Sequence, residues 1–426
     1  LYRIKKSFTA PLTRERNIPP LFTFCPTLAG GTTSWEELGE RFEQAALARL
    51  NKPAGEKLQA LAEGFKDIND RDRRIQAIRD HIAENIGLAG PKSFNTPLSE
   101  LTAPRGTMQD GYSNSADRAL LTYKLLALSG FNPHLVLESK FPGAAGISEI
   151  LRRSPSLNWF DMVLVRVKNS KGEHIFLNDT DQYARLGTTP GNGKIAFYHS
   201  SAEISRIESQ NFDLKTSKDT QYNSRLHDNG DARIKIEMTY RGMNYAELNK
   251  KKSTSSSEEI NQYLQKKISG FNRAAELLGD YEIEFDSYPG RESFEVFVPE
   301  LAEVEKGTMI LDIPGLIEKI KGAGTNSRKL PLLRDGFHRQ KITVNIVLPD
   351  GFQVQSMPSK HTAFMIPGSG PIVMTALKAK ENRVQITQEA NLRPVIISPC
   401  DYQTFLQVQN ELAKAKNNLL ILKHVD

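Results

Sequence analysis

The spacing of apolar positions changes character near residue 200. Before it, apolar residues recur at three- and four-residue steps: Trp35, Leu38 and Phe42; Ile75, Ile78, Ile82 and Ile86; Ala116, Ala119, Leu120, Tyr123 and Leu126. This spacing predicts helices with one buried stripe each. Ser34 and Glu37 make a capping box for the first, a second runs from about Gly55 to Phe65, Gly87 stops the third, and the fourth begins near Asn114 and stops at Gly130. Runs rich in β-formers follow at Pro133 to Glu138, Asp161 to Val167 and His174 to Thr180, and predict strands. Helices followed by strands imply an α+β layer. Between them, Pro91 to Gly106 reads as a long polar loop, and Gly143 to Leu157 as an insertion, a candidate lid.

From about residue 201 the pattern is β. Ile234 to Tyr240 and Ile342 to Leu348 alternate apolar and polar, the signature of strands that bury one face. Tyr281 to Phe285, Ser293 to Val298, Ile372 to Lys378 and Arg383 to Gln388 are further strands, with turn residues between them, as in a β-sandwich. Helices are predicted at Glu258 to Ile268 and Asp401 to Ala413, the latter with Phe405, Val408 and Leu412 inward, and Asn418 to Leu422 closes the chain as a strand. Lys250 to Ser257 reads as a flexible surface loop ending in a helix cap. Residues 1–32 are irregular, broken by Pro11, Pro19, Pro20, Pro26 and Gly30-Gly31.

With 426 residues the chain has room for two or three cores. Hydrophobic content of 39% and charged content of 25% are those of a soluble globular protein. No apolar run approaches the roughly 20 residues of a membrane span. The net charge of +6 is spread along the chain and not gathered with aromatics into a patch, which argues against a nucleic-acid partner. The two cysteines, Cys25 and Cys400, lie in different predicted domains and read as free buried thiols. No Cys or His pair has metal-ligand spacing. Gly191-Asn192-Gly193-Lys194-Ile195 lacks the first glycine of a P-loop, where Thr188 stands, and Ile195 offers no hydroxyl to a metal. No metal and no cofactor are expected.

The chemistry concentrates at Ser113-Asn114-Ser115-Ala116-Asp117. Ser115 sits in the first turn of its helix, where free N–H groups and the helix dipole would favour a thiolate; a serine gains almost nothing there. Gly111 to Ser115 imitates the start of a Gly-x-Ser-x-Gly elbow but lacks the last glycine, and no strand precedes it. Ser113, Asn114 and Ser115 also suit helix capping.

This helix, its Gly130 stop, the strands after it and the turn Leu177-Asn178-Asp179-Thr180-Asp181 resemble the core of the transglutaminase-like superfamily, with its papain-like Cys-His-Asp site. The resemblance implies that Ser115 stands at the cysteine position, Asp161 at the histidine position and Asn178 at the acid position. All three catalytic residue types are replaced. Ile18-Pro19-Pro20-Leu21, Ser34-Trp35-Glu36-Glu37-Leu38 and the β-rich second half are similar to the bacterial multidomain members of that superfamily. The implied organisation is the end of an upstream β-rich domain and linker over 1–32, a transglutaminase-like core over 33–200 and a β-sandwich-like domain over 201–426. The implied location is the bacterial periplasm or cell exterior.

A serine hydroxyl needs a base within hydrogen-bond reach. A carboxylate, whose ordinary pKa is about 4, serves poorly near neutrality. Two functions follow. The preferred one is a catalytically inactive module that binds a peptide, glycan or protein partner in the cleft beside Ser115, with Tyr112, Ser113 and Trp159 on its wall. The alternative is an active hydrolase or acyltransferase, a peptidase among them, in which Ser115 or Ser113 attacks and His134, His174 or Asp161 is the base. A third reading makes the core a spacer with a filled cleft.

Overall fold

The structure, a computed structural model, describes residues 15–27, 31–90, 94, 97–317, 327–335, 338–358, 363–366 and 370–425. The first half packs helices α1 (Trp35–Leu50), α2 (Glu56–Lys66) and α3 (Arg71–Asn85) around α5 (Ser115–Leu128). A short helix, α4 (Pro104–Asp110), and a two-residue parallel ladder of β1 (Gly87–Leu88) with β2 (Tyr112–Ser113) lead into α5. Ser34 caps α1 in the expected box with Glu37. In α5, Ala119, Leu120, Leu121, Leu125 and Leu126 are all buried, because the helix is enclosed by its neighbours and by a sheet.

That sheet has the order β5-β4-β3-β6-β7, from β3 (His134–Ser139), β4 (Phe160–Lys168), β5 (His174–Leu177), β6 (Ile195–Tyr198) and β7 (Glu203–Arg206), antiparallel throughout. Leu135, Leu137, Val163, Val165 and Val167 face the helices, while Val136, Leu164, Phe176 and Ala196 form an apolar cluster on the opposite face. Burial of both faces explains why these strands carry unbroken apolar runs.

Two connections differ from their sequence reading. Part of the expected polar loop is helix α4, started by Pro104 at its first position and ended by Gly111 at φ +71°. The candidate lid is α6 (Ala145–Arg153), with Ile147 and Leu151 fully buried against Ala144 and Ile195, so this segment belongs to the core. Just before it, a Cβ on Gly143 would lie 1.9 Å from the carbonyl oxygen of Gly193, and the two chain segments pass at that distance only without a side chain.

The second half is a sandwich. An eight-stranded sheet runs β10-β11-β9-β8-β15-β19-β18-β17, built from β8 (Ser217–Leu226), β9 (Ala232–Arg241), β10 (Glu276–Glu284), β11 (Gly290–Val298), β15 (His338–Val347), β17 (Ala363–Ile366), β18 (Gly370–Lys380) and β19 (Arg383–Leu392). A four-stranded sheet of β12 (Ala302–Glu305), β13 (Thr308–Asp312), β21 (Leu419–His424) and β16 (Phe352–Ser356) shares one core with it, through Ile234, Ile236, Val344 and Ile386 on one side and Met309, Leu311, Leu420 and Leu422 on the other. Two short strands, β14 (Leu332–Arg334) and β20 (Val395–Ile397), pair beside α9 (Tyr402–Leu412).

Helices α7 (Met243–Thr254) and α8 (Ser257–Ile268) join β9 to β10. Most of the expected flexible loop at 250–257 is thus helical: Lys250 pairs with Asp181 at 2.9 Å, Lys251 Nζ lies 3.6 Å from the Tyr263 ring centroid, and Ser256 caps α8 in a box with Glu259. Both cysteines are free, as expected, but neither is buried: Cys25 is half-buried and Cys400 exposed. The segment at 15–27 carries one 3-10 turn, and Asn17 O accepts a bond from Leu333 N at 2.7 Å. Residues 1–14, expected to belong to an upstream domain, lie outside the described residues. No helix among the described residues is long and apolar enough to cross a membrane. The protein is an α+β multidomain chain.

Candidate functional site

The N-terminus of α5 is capped from within the chain. Asn114 Oδ1 accepts the backbone N–H groups of Ala116 (2.9 Å) and Asp117 (3.0 Å). The buried Asp117 carboxylate accepts from Thr102 N at 2.8 Å and Asn114 Nδ2 at 3.1 Å, fastening the preceding loop to the helix. Burial raises the Asp117 pKa against the opposing effect of these bonds.

The structure brings the three predicted positions together. Ser115 Oγ accepts from Val163 N at 3.3 Å and faces the Asp161 carbonyl oxygen at 3.5 Å. Asn178, 4% exposed and held at φ +87°, donates its amide to Ser115 O at 2.8 Å and to Val163 O at 2.7 Å. A positive φ is tolerated by Asn better than by most residues. Asn178 Oδ1 accepts from Arg118 Nε at 2.7 Å, and Asn178 O accepts from Arg118 Nη2 at 2.9 Å. The Arg118 guanidinium is buried, and desolvation brings its pKa down to about 10 against the attraction of Asp179 and Asp181. Asn178 thus ties α5 to β4 and supplies acceptor oxygens to the buried Arg118 cation. Beside Asn178 and Arg118 the packing leaves a void of only about 10 Å³, the size needed for about one water molecule.

Asp161 lies in a bulge. The register of β4 on β3 shifts between Met162 and Phe160, so Phe160 and Val163 both face the helices while Met162 faces the opposite cluster. The two histidines near the core are elsewhere. His134 pairs with Arg166 and His174 with Lys168 on or beside β4; at about 3.4 Å per residue these rungs are roughly 17 and 24 Å along the strand from Asp161. Neither is placed to serve as base for Ser115.

The predicted wall residues separate. Tyr112 is 62% exposed on the β1–β2 ladder, next to Leu88 at 49%. Ser113 is buried, and its hydroxyl has no hydrogen-bond partner among the described residues, so it has no base. Trp159 is taken up by packing: its ring meets Phe22 at 5.1 Å and Phe141 at 6.2 Å, and its Nε1 donates to Ser154 O at 2.6 Å.

A second polar cluster lies on the opposite face of the same sheet. Glu138, 3% exposed, pairs through Oε1 with Lys194, while its Oε2 sits against Gly191, where a Cβ would be 2.2 Å away. Thr189 Oγ1 donates to Asp179 Oδ2 at 2.5 Å. Glu138 Oε2, Asp179 Oδ1 and Thr188 Oγ1 have no hydrogen-bond partner among the described residues. Burial, and then the Glu138 charge, push the Asp179 carboxyl up to about 7, and burial raises Glu138 also. The sequence signal was present but weak: Glu138 interrupts an apolar run, and Asp179 follows Asn178 directly. Among the described residues no group of three or more His, Cys, Asp or Glu could hold a metal.

Residues 310–422 match DUF3858, a domain of unknown function with a solved structure. No curated protein matches the sequence. In three dimensions the chain is similar to a crystal structure described as a "putative protease" from Parabacteroides distasonis ATCC 8503, with a TM-score of 0.52 at 13% identity. The likeness covers 92% of this chain and 59% of that one, so the chain spans well under two thirds of its length. It establishes a shared fold, a multidomain α+β architecture.

Asn178→Ala removes three side-chain bonds, leaves Arg118 poorly compensated and strains a positive-φ site. It is expected to cost about 3–5 kcal/mol in urea unfolding. For Asp179, the native carboxyl keeps its proton up to about pH 7, whereas the unfolded one releases it near pH 4. Between these values the native state binds more protons, so this group's contribution to stability is lost as pH rises. Urea unfolding across that range should show the wild type losing stability relative to Asp179→Asn as pH increases.

Proposed function

We propose that residues 33–200 form a transglutaminase-like core without catalytic activity, joined to a β-sandwich domain at 201–426, and that the core holds an extended peptide beside the α5 N-terminus. The observation that carries this reading is the use of Ser115 and Asn178 in packing. Asn178 donates to the backbone of both Ser115 and Val163, and Val163 N donates to the Ser115 hydroxyl. A nucleophile would instead need a base aligned on its hydroxyl. His134 and His174 lie far along the sheet, and the Ser113 hydroxyl has no hydrogen-bond partner among the described residues, so the hydrolase alternative has no imidazole base from these two histidines.

Binding is supported by the β1–β2 ladder. It is two residues long, in parallel register, with Tyr112 and Leu88 exposed on adjacent strands immediately before α5. An exposed strand edge with flanking apolar side chains suits an added peptide strand. Glycans and folded proteins are the competing ligands.

Incubation with a fluorophosphonate and with an activated ester, read by intact mass, should leave Ser113 and Ser115 unmodified. A peptide selected on the protein from a displayed library should bind at least tenfold more weakly to Tyr112→Ala and equally well to Ser115→Ala. A serine adduct abolished by Ser115→Ala would contradict the reading.

A further inference from the structure

The sandwich carries an inward-facing cation beside a cavity. On β8, Lys218 lies opposite Tyr240, Thr220 opposite Met238 and Tyr222 opposite Ile236. Those β9 residues belong to the sandwich core. Because side chains alternate across a strand, Lys218 is directed to the interior side of the sheet, where an unpaired ammonium is costly.

The nearest carboxylate is already engaged. Glu292 of β11, 1% exposed, accepts from Tyr240 Oη at 2.6 Å and also from Tyr281 Oη and from Lys267 Nζ of α8. One anion is thus matched to one cation. Lys218 Nζ has no hydrogen-bond or ion-pair partner among the described residues, and it lies 5.5 Å from the Tyr240 ring centroid. The Lys218–Lys267–Glu292 group therefore carries one positive charge beyond balance. Burial lowers the pKa of both lysines, Lys267 to about 8.

Both lysines line a cavity of about 410 Å³ whose walls include Ile236, Met238, Phe271 and Phe294. Asp312, exposed, lines its rim. The volume lies within the range of about 300–1,000 Å³ usual for small-molecule sites. Walls that are part apolar and part polar, with one uncompensated cation among the polar groups, define the ligand chemistry. A neutral apolar molecule would leave Lys218 without a counter-charge, and a polyanion would need Lys267, which Glu292 holds.

We propose that this cavity binds a monoanionic amphiphile, an organic carboxylate with an apolar body, with its charge on Lys218 Nζ and its body against Ile236, Met238, Phe271 and Phe294. This goes beyond the reading of the α5 site and does not depend on it.

Titration calorimetry of the full chain with octanoate and with 1-octanol tests it, using Lys218→Met and Lys218→Gln. Octanoate should bind one-to-one and weaken about tenfold or more in both variants, the worth of one charge-assisted hydrogen bond. 1-Octanol should bind wild type and variants alike. Lys218→Met should also raise the thermal midpoint of the unliganded protein, since it removes an uncompensated cation. No saturable octanoate binding to the wild type, equal octanoate affinity in all three proteins, or a lowered midpoint in Lys218→Met would overturn the proposal.

Discussion

The first half of the protein depends on how a buried guanidinium is satisfied. Arg118 projects from α5 into an interior where a charge survives only with hydrogen-bond partners in place, and Asn178 provides them with both its side-chain and backbone oxygens. The same amide group uses its two protons on Ser115 O and Val163 O. One residue therefore fixes the position of α5 against β4, and the geometry around Ser115 follows from it. An aspartate at this position could compensate Arg118 but could not donate to two carbonyls.

That economy bears on chemistry. A thiol-enzyme site keeps its acid available to orient an imidazole and its nucleophile available to attack. Here Ser115 and Asn178, which the resemblance sets at the nucleophile and acid positions, make backbone contacts, and a bulge at Asp161 lets Phe160 complete the apolar contact with Trp35 and Phe197. Two carboxyl groups of this core that respond to burial, Glu138 and Asp179, sit on the other face of the sheet, while Asp117 and Arg118 respond on the α5 side. In the second half the pattern recurs at Glu292, where one buried carboxylate gathers two phenols and an ammonium at the edge of a cavity.

Much of the fold was legible because burial imposes periodicity. Helices α1, α3 and α5 bury one stripe or more, and β9 alternates strictly along its length, so their apolar spacing reports them directly. That Ser115, Asp161 and Asn178 would lie near one another was an implication of the family resemblance, which periodicity by itself does not report. What was missed lacks that signal. Strand β8 presents Lys218, Thr220 and Tyr222 inward, so no hydrophobic alternation marks it. Helix α7 carries its lysines and hydroxyls on an exposed face, and it is held by Tyr245, Ala246 and the Lys250–Asp181 pair. Trp159 looked like a cleft wall because sequence cannot show that Phe22, more than a hundred residues earlier, packs on it.

The account stands on the claim that neither His134 nor His174 serves the hydroxyl at position 115 as an imidazole base. Replacing Ser115 with cysteine and following its alkylation by iodoacetamide against pH measures this directly. The account predicts a thiol that ionises above about pH 7, shifted at most modestly by the helix terminus; a thiolate persisting below about pH 5, as in an imidazole-paired cysteine, would contradict it.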